Sequence, residues 1–184
     1  MEGKMKLVKW LLWLVLIFVV IMLGFWAYIG GFSTPKVSEQ IIGPYTIAYQ
    51  PFVGPYKDCG PVFETVYQSL KNKGIATTVG LGIYYDDPSQ VAADKLRSDL
   101  GCVIEPKDVK TIGKELKVKT LLKTRAIVAE LPLRHSLSMM VGPMKAYPAL
   151  VKYQQANNLK IIAPPYEVYD MSGGKILYIM PIAK

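Results

Sequence analysis

Gly82-Ile83-Tyr84-Tyr85-Asp86-Asp87-Pro88 and Tyr166-Glu167-Val168-Tyr169-Asp170 decide the fold, because they read as two copies of one segment. The same succession lies upstream of each. The first unit has a strand-like run at Thr46–Gln50, the turn Val53-Gly54-Pro55 and a helix-like stretch from Val62 to Lys73. The second has Ala126–Glu130, Val141-Gly142-Pro143 and a helix-like stretch from Tyr147 to Asn157. A fold built from two similar halves has a seam, and such seams are common places for ligand pockets. With Tyr85 set against Tyr169, Ile83 falls against Glu167. One half then offers an aliphatic group where the other offers a carboxylate.

The intervening residues fill in the pattern. Tyr45 to Phe52 alternates like a strand. Val62, Phe63, Val66, Tyr67 and Leu70 fall at i, i+3, i+4 spacing and give a helix one apolar face. Gly74 ends that helix, since glycine accepts the left-handed C-terminal conformation. Strands are expected over Thr77–Tyr85, Leu100–Ile104, Arg125–Leu131, near Glu167, and over Lys175–Ile182, with Gly173-Gly174 as a hairpin turn. From Leu116 to Lys123 apolar residues and lysines alternate, which suits an edge strand that discourages further pairing. A second helix is expected from about Pro143 to Asn157. The order is β-α-β-β twice. It predicts an α+β fold in which duplicated β-α-β-β units form a curved antiparallel sheet, with two helices on one face and a free, concave opposite face.

The N-terminus is of another kind. Trp10 to Ile29 carries no charge over 20 residues, and about 20 residues span a bilayer core. Trp10, Trp13, Trp26 and Tyr28 sit near its ends, where aromatic rings favour the interface. The run exceeds the usual h-region of about 7–15 residues, and no small-x-small cleavage box follows, so an uncleaved anchor is expected. Lys4, Lys6 and Lys9 precede it and only Lys36 closely follows. The positive-inside rule then leaves the N-terminus cytoplasmic and the domain exported, as a single-pass membrane protein. The expected organisation is a basic flank at 1–9, a transmembrane helix at 10–29, a linker at 30–43 and a ligand-binding domain at 44–184.

The net charge of +8 falls to about +6 without the N-terminal segment, and the charges are scattered. No nucleic-acid recognition motif accompanies them, so no nucleic-acid partner is expected; anionic lipid headgroups suit a tethered basic domain better. With two cysteines, one histidine (His135) and no CxxC, neither a metal site nor a cofactor is expected. Cys59 and Cys102 read as unpaired thiols. Asp86-Asp87-Pro88 reads as turn chemistry.

The candidate ligand-binding residues are Glu167, Tyr169, Tyr85, Ile83, Tyr178 and Met180. Residues two apart on a strand share a face. Glu167 and Tyr169 therefore point the same way, as do Ile83 and Tyr85, and Tyr178 and Met180 of the final strand join one of these faces. A carboxylate beside tyrosine rings suits an organic cation, by charge pairing and cation–π contact. The alternatives are an exposed Glu167, or one held by an internal tyrosine hydroxyl or lysine.

Val53-Gly-Pro-Tyr56, Gly82 to Pro88, Tyr166-Glu-Val-Tyr169 and Met180-Pro-Ile182, in this order and spacing, resemble the GyrI-like small-molecule-binding domain. That family includes effector-binding domains of multidrug-sensing transcription regulators. Within it, Tyr84 to Pro88, Asp94 to Arg97, Val103-Ile104 and Tyr147 to Leu150 look like the testis-expressed ER-phagy receptor group of animals, in which a membrane helix precedes the domain. This chain ends at Lys184 without the acidic tail of that group, so the resemblance implies the architecture and not the autophagy role. It also implies that the acid of the penultimate strand, here Glu167, meets lipophilic cations in an aromatic pocket. The expected function is membrane-anchored binding of small amphipathic or cationic molecules. The alternatives are an adaptor that docks a protein partner, or a hydrolase in which Glu167 with Tyr169 or Tyr85 activates water; no catalytic residue is assigned.

Overall fold

The computed structural model describes residues 2–28, 31–133 and 136–183. An N-terminal helix, α1 (Glu2–Tyr28), precedes strands β1 (Lys36–Ile42) and β2 (Tyr45–Val53) and helix α2 (Gly60–Asn72). Strands β3 (Val79–Tyr84), β4 (Arg97–Val103), β5 (Lys117–Leu121) and β6 (Thr124–Pro132) follow, then helix α3 (Ser136–Ala156) and strands β7 (Tyr166–Asp170) and β8 (Lys175–Pro181). The α+β expectation and the duplicated β-α-β-β order both hold.

The eight strands form one antiparallel sheet in the order β1-β6-β8-β7-β3-β4-β2-β5. That order is palindromic under the duplication: β7 meets β3 at the centre, β8 and β4 flank them, and β6 and β2 come next. The two edges are exchanged between the halves. β1 precedes β2 in the chain but pairs with β6, and β5 precedes β6 but pairs with β2. Each half therefore closes the sheet of the other. Residues 36–42, expected within a linker, are the strand β1. Its alternation of exposed and half-buried positions is too short and too polar to stand out without the partner that it covers.

Two core clusters lie on the helical face. Under α2, Val66 and Leu70 pack on Ala48 and Cys102. Under α3, Ala146 and Leu150 pack on Ile127, Ala129, Ile176 and Tyr178. The opposite face was expected to be free, and it is not. Ile47, Leu81, Val128 and Ile179 there are fully buried, and Ile83, Tyr166 and Val168 complete the cluster. Among the described residues, this cluster draws its members from strands and not from a helix, so the side chains of this face bury one another.

The second Val-Gly-Pro also departs from expectation. Val53-Gly54-Pro55 is a turn, but Val141-Gly142-Pro143 lies inside α3, which begins seven residues earlier than its apolar pattern predicts. A proline ring removes one N–H from the helix ladder, and Pro143 and Pro148 each do so within α3. Gly142 is required by contact: a Cβ there would come within 1.9 Å of the Tyr178 hydroxyl. The motif that turns the chain in one half brings a helix hard against the sheet in the other.

Candidate functional site

Glu167 and Tyr169 alternate with Tyr166 and Val168 on β7, and they point to the helical face, at the seam between the two halves. Glu167 is 4 % exposed. The Tyr147 hydroxyl, from α3, donates to its Oε1 at 2.9 Å. The Tyr169 hydroxyl donates to its Oε2 and is itself 3.0 Å from the Tyr84 hydroxyl of β3. Aromatic rings enclose this chain of oxygens edge to face. Phe63 of α2 stands 5.5 Å from Tyr169, Tyr147 stands 5.9 Å from Tyr178, and Tyr56 stands 4.9 Å from Tyr84. Both helices thus contribute to a shell whose centre is one carboxyl group.

The electrostatics follow from that burial. Among the described residues no lysine or arginine forms an ion pair with Glu167. Desolvation pushes its carboxyl up to about 7, against the two tyrosine hydrogen bonds that favour the charged form. Tyr147, Tyr169 and Tyr84 are held well above the ordinary phenol value, first by burial and then by the nearby Glu167 charge. The Tyr178 hydroxyl is buried and has no hydrogen-bond partner. An orphaned buried hydroxyl costs about 1–3 kcal/mol, so this site holds both a carboxyl group without a counter-ion and a donor without an acceptor.

The structure brings together four of the six expected residues. Glu167, Tyr169 and Tyr178 are in the shell, and Met180 packs at the edge of the same cluster. Ile83 and Tyr85 are elsewhere. Ile83 lies in the cluster on the opposite face. Tyr85 donates to Asp99 Oδ2 at 2.7 Å and accepts from Lys119 at 2.9 Å, away from Glu167. The alignment of the two copies was off by one residue. Gly82 is the ladder partner of Glu167, and Tyr84, not Tyr85, shares its face. The residue opposite the acid across the seam is therefore a glycine. A Cβ at position 82 would stand 2.9 Å from the Tyr84 hydroxyl and 3.1 Å from Phe63, so glycine leaves room for the tyrosine shell. Sequence reasoning also missed Tyr147, which lies one position past the inward Ala146 of α3. A helix drawn from residue 136 would have placed it over the sheet.

The Asp-Asp-Pro turn and the two cysteines have local roles. Asp86 accepts from Arg97 through Nε at 3.0 Å and Nη2 at 2.8 Å, and Asp87 accepts from the Ser89 amide at 2.8 Å, so this pair is turn chemistry. Cys59 and Cys102 are separate buried thiols. No group of metal-binding side chains occurs among the described residues, and His135 lies outside them.

Two β-α-β-β units sharing one sheet, with a tyrosine-shelled acid at the seam, define a duplicated α+β domain. The chain belongs to the GyrI-like family: the model of the GyrI-like small molecule binding domain matches residues 36–180. Similar solved structures share this fold at low sequence identity. The crystal structure of the EcmrR C-terminal domain has a TM-score of 0.60 at 13% identity, over 82% of this chain and 98% of that one. SAV2435 bound to tetraphenylphosphonium has a TM-score of 0.55 at 14% identity, over 80% and 94%. A hydrolase from Listeria innocua has a TM-score of 0.56 at 10% identity, over 86% and 98%. No curated protein matches the chain.

Proposed function

We propose that this protein is a membrane-anchored receptor for small amphipathic organic cations, with Glu167 as counter-ion and Tyr147, Tyr169, Tyr84 and Tyr178 as the aromatic walls. The observation that carries the proposal is an acid that is buried and held by two tyrosine hydroxyls but has no cationic partner among the described residues. A carboxyl group buried without a cationic partner is costly when charged, and a protein that needed only a packed core would have an apolar residue there. A cation brought to Oε1 and Oε2 supplies the missing charge, and tyrosine faces add cation–π attraction. That SAV2435 shares the fold and is seen with tetraphenylphosphonium supports the choice of ligand class.

The site is closed as it stands. Tyr147 covers Glu167 Oε1, and opening it means moving α3. That helix is weak where it must move, since Pro143 and Pro148 bracket Tyr147 and each removes one backbone hydrogen bond. Residues 6–28 are long and apolar enough to cross a membrane, and we assign them as the anchor. Lys4, Lys6 and Lys9 at the N-terminal end of this helix favour a cytoplasmic N-terminus and an exported domain.

The test is a melting experiment on the full chain in detergent micelles, titrated with tetraphenylphosphonium. Wild type is expected to rise in melting temperature with ligand, and Glu167→Gln to rise far less. A flat response from both proteins would overturn the assignment. Equal responses would move the site away from Glu167.

A further inference from the structure

The two helices are equivalent in the duplication, yet their outer faces differ. On α2 the outward positions include Glu64, Thr65, Gln68, Lys71 and Asn72, a polar surface suited to water. On α3 the outward stripe is Met140, Met144, Pro148 and Val151, spaced by four, four and three so that all share one face. Met140 and Met144 are 71% and 79% exposed. An apolar stripe of this kind on a surface helix marks a contact.

What covers it follows from where α3 is tied. Lys145, on the same helix, donates to the backbone carbonyls of Gly31 and Ser33, the residues through which the chain leaves α1. Phe32 between them is 64% exposed. With residues 36–42 taken up by β1, the connection from the end of α1 is short. Residues 29–35 reach roughly 25 Å even when fully extended, and Lys145 draws them onto α3. The domain is thereby held close to the point where α1 ends, and α3, which carries the methionine stripe, also has the exposed Lys152 beside Val151.

We infer that the Met140–Met144–Pro148–Val151 face of α3 rests in the bilayer interface. The inference rests on α1 as a membrane anchor and not on ligand binding at Glu167. Methionine side chains are flexible and polarizable and suit a contact without fixed shape. A helix with an apolar face and flanking lysines lies in the plane of the headgroups, drawn there most strongly by anionic lipid. Since α3 also carries Tyr147, the lid over Glu167 would stand at the membrane surface, where lipophilic cations concentrate.

The full chain in nanodiscs of phosphatidylcholine and phosphatidylglycerol tests this. Met144→Cys and, as a control on α2, Gln68→Cys are labelled with an environment-sensitive fluorophore; Cys59 and Cys102 are buried and take up little label. Doxyl-labelled lipid is expected to quench the label at 144 several-fold more strongly than the label at 68, and aqueous iodide to do the reverse. Equal quenching by iodide at both positions would overturn the inference. Protection of position 144 from both quenchers would also overturn it, by assigning the stripe to a protein or a second copy. A label at Trp13→Cys that lipid fails to quench would remove the anchor and the inference with it. Quenching needs no ligand, so a failure of tetraphenylphosphonium to bind leaves this result standing.

Discussion

Replacing Glu167 by glutamine keeps the size of the side chain and removes its ability to charge. Burial raises the carboxyl from its ordinary 4.5 to about 7, so the folded state holds the proton more tightly than the unfolded chain. The stability that this group contributes is fully present below about pH 4.5 and is lost as pH rises through 7. Each pH unit of separation corresponds to about 1.4 kcal/mol, and the whole loss is on the order of 3 kcal/mol. Glutamine suffers no such loss. Glu167→Gln is therefore expected to gain on wild type by roughly that amount between acid and mildly alkaline conditions, or roughly 6–12 °C in melting temperature for a domain of this size. Circular-dichroism melts of both full-length proteins in detergent micelles at about pH 5 and pH 8 measure it. A gap that stays constant, or that shrinks as pH rises, would refute the claim that Glu167 is buried without a counter-charge.

Three further outcomes follow from the same geometry. Tyr147→Phe removes the donor to Oε1; a hydrogen bond to a charged group contributes about 1.5–3 kcal/mol, so urea denaturation should show the larger loss at pH 8, where the acid is ionised, and the smaller at pH 5. Gly142→Ala forces a Cβ against the Tyr178 hydroxyl and should cost about 1–3 kcal/mol by overpacking, while Tyr178→Phe alone should stabilise by about 1–3 kcal/mol, because it removes a buried hydroxyl that has no partner; the double variant should recover more than the sum of the two single effects, and simple additivity would show that the two residues do not touch. Burial pushes both Cys59 and Cys102 up to about 11, so N-ethylmaleimide at pH 7.5 should label neither in the folded protein and both in urea, as read by mass spectrometry; rapid labelling of the folded state would contradict their placement.

How far the sequence could be read depended on how strongly each signal repeats. The 2-residue and 3.6-residue periods in Tyr45–Phe52, Val62–Leu70 and Lys175–Ile182 reflect one buried face each, and they placed the duplicated units correctly. Glu167 was legible because a lone acid between tyrosines breaks an otherwise apolar strand. β1 was not, because an exchanged edge strand takes its meaning from β6, more than 80 residues away. The pairing of Ile83 with Glu167 failed for a related reason. Aligning aromatic residues set Tyr85 against Tyr169, whereas only the ladder register, Gly82 against Glu167, tells which tyrosine shares the acid's face. The missing side chain of a glycine carries no hydrophobic signal, yet Gly82 and Gly142 are where the shell and α3 come closest to the sheet. The start of α3 was hidden by its prolines, which read as turn residues until the helix is seen to run through them.

The central claim is that a neutral, buried Glu167 becomes the counter-ion of a bound cation. Titration calorimetry of tetraphenylphosphonium into the full chain at about pH 6, in buffers of different ionisation enthalpy, counts the protons exchanged on binding. The account predicts release of close to one proton per cation from wild type and none from Glu167→Gln. Binding by wild type without proton release, or with the same release from the variant, would contradict it.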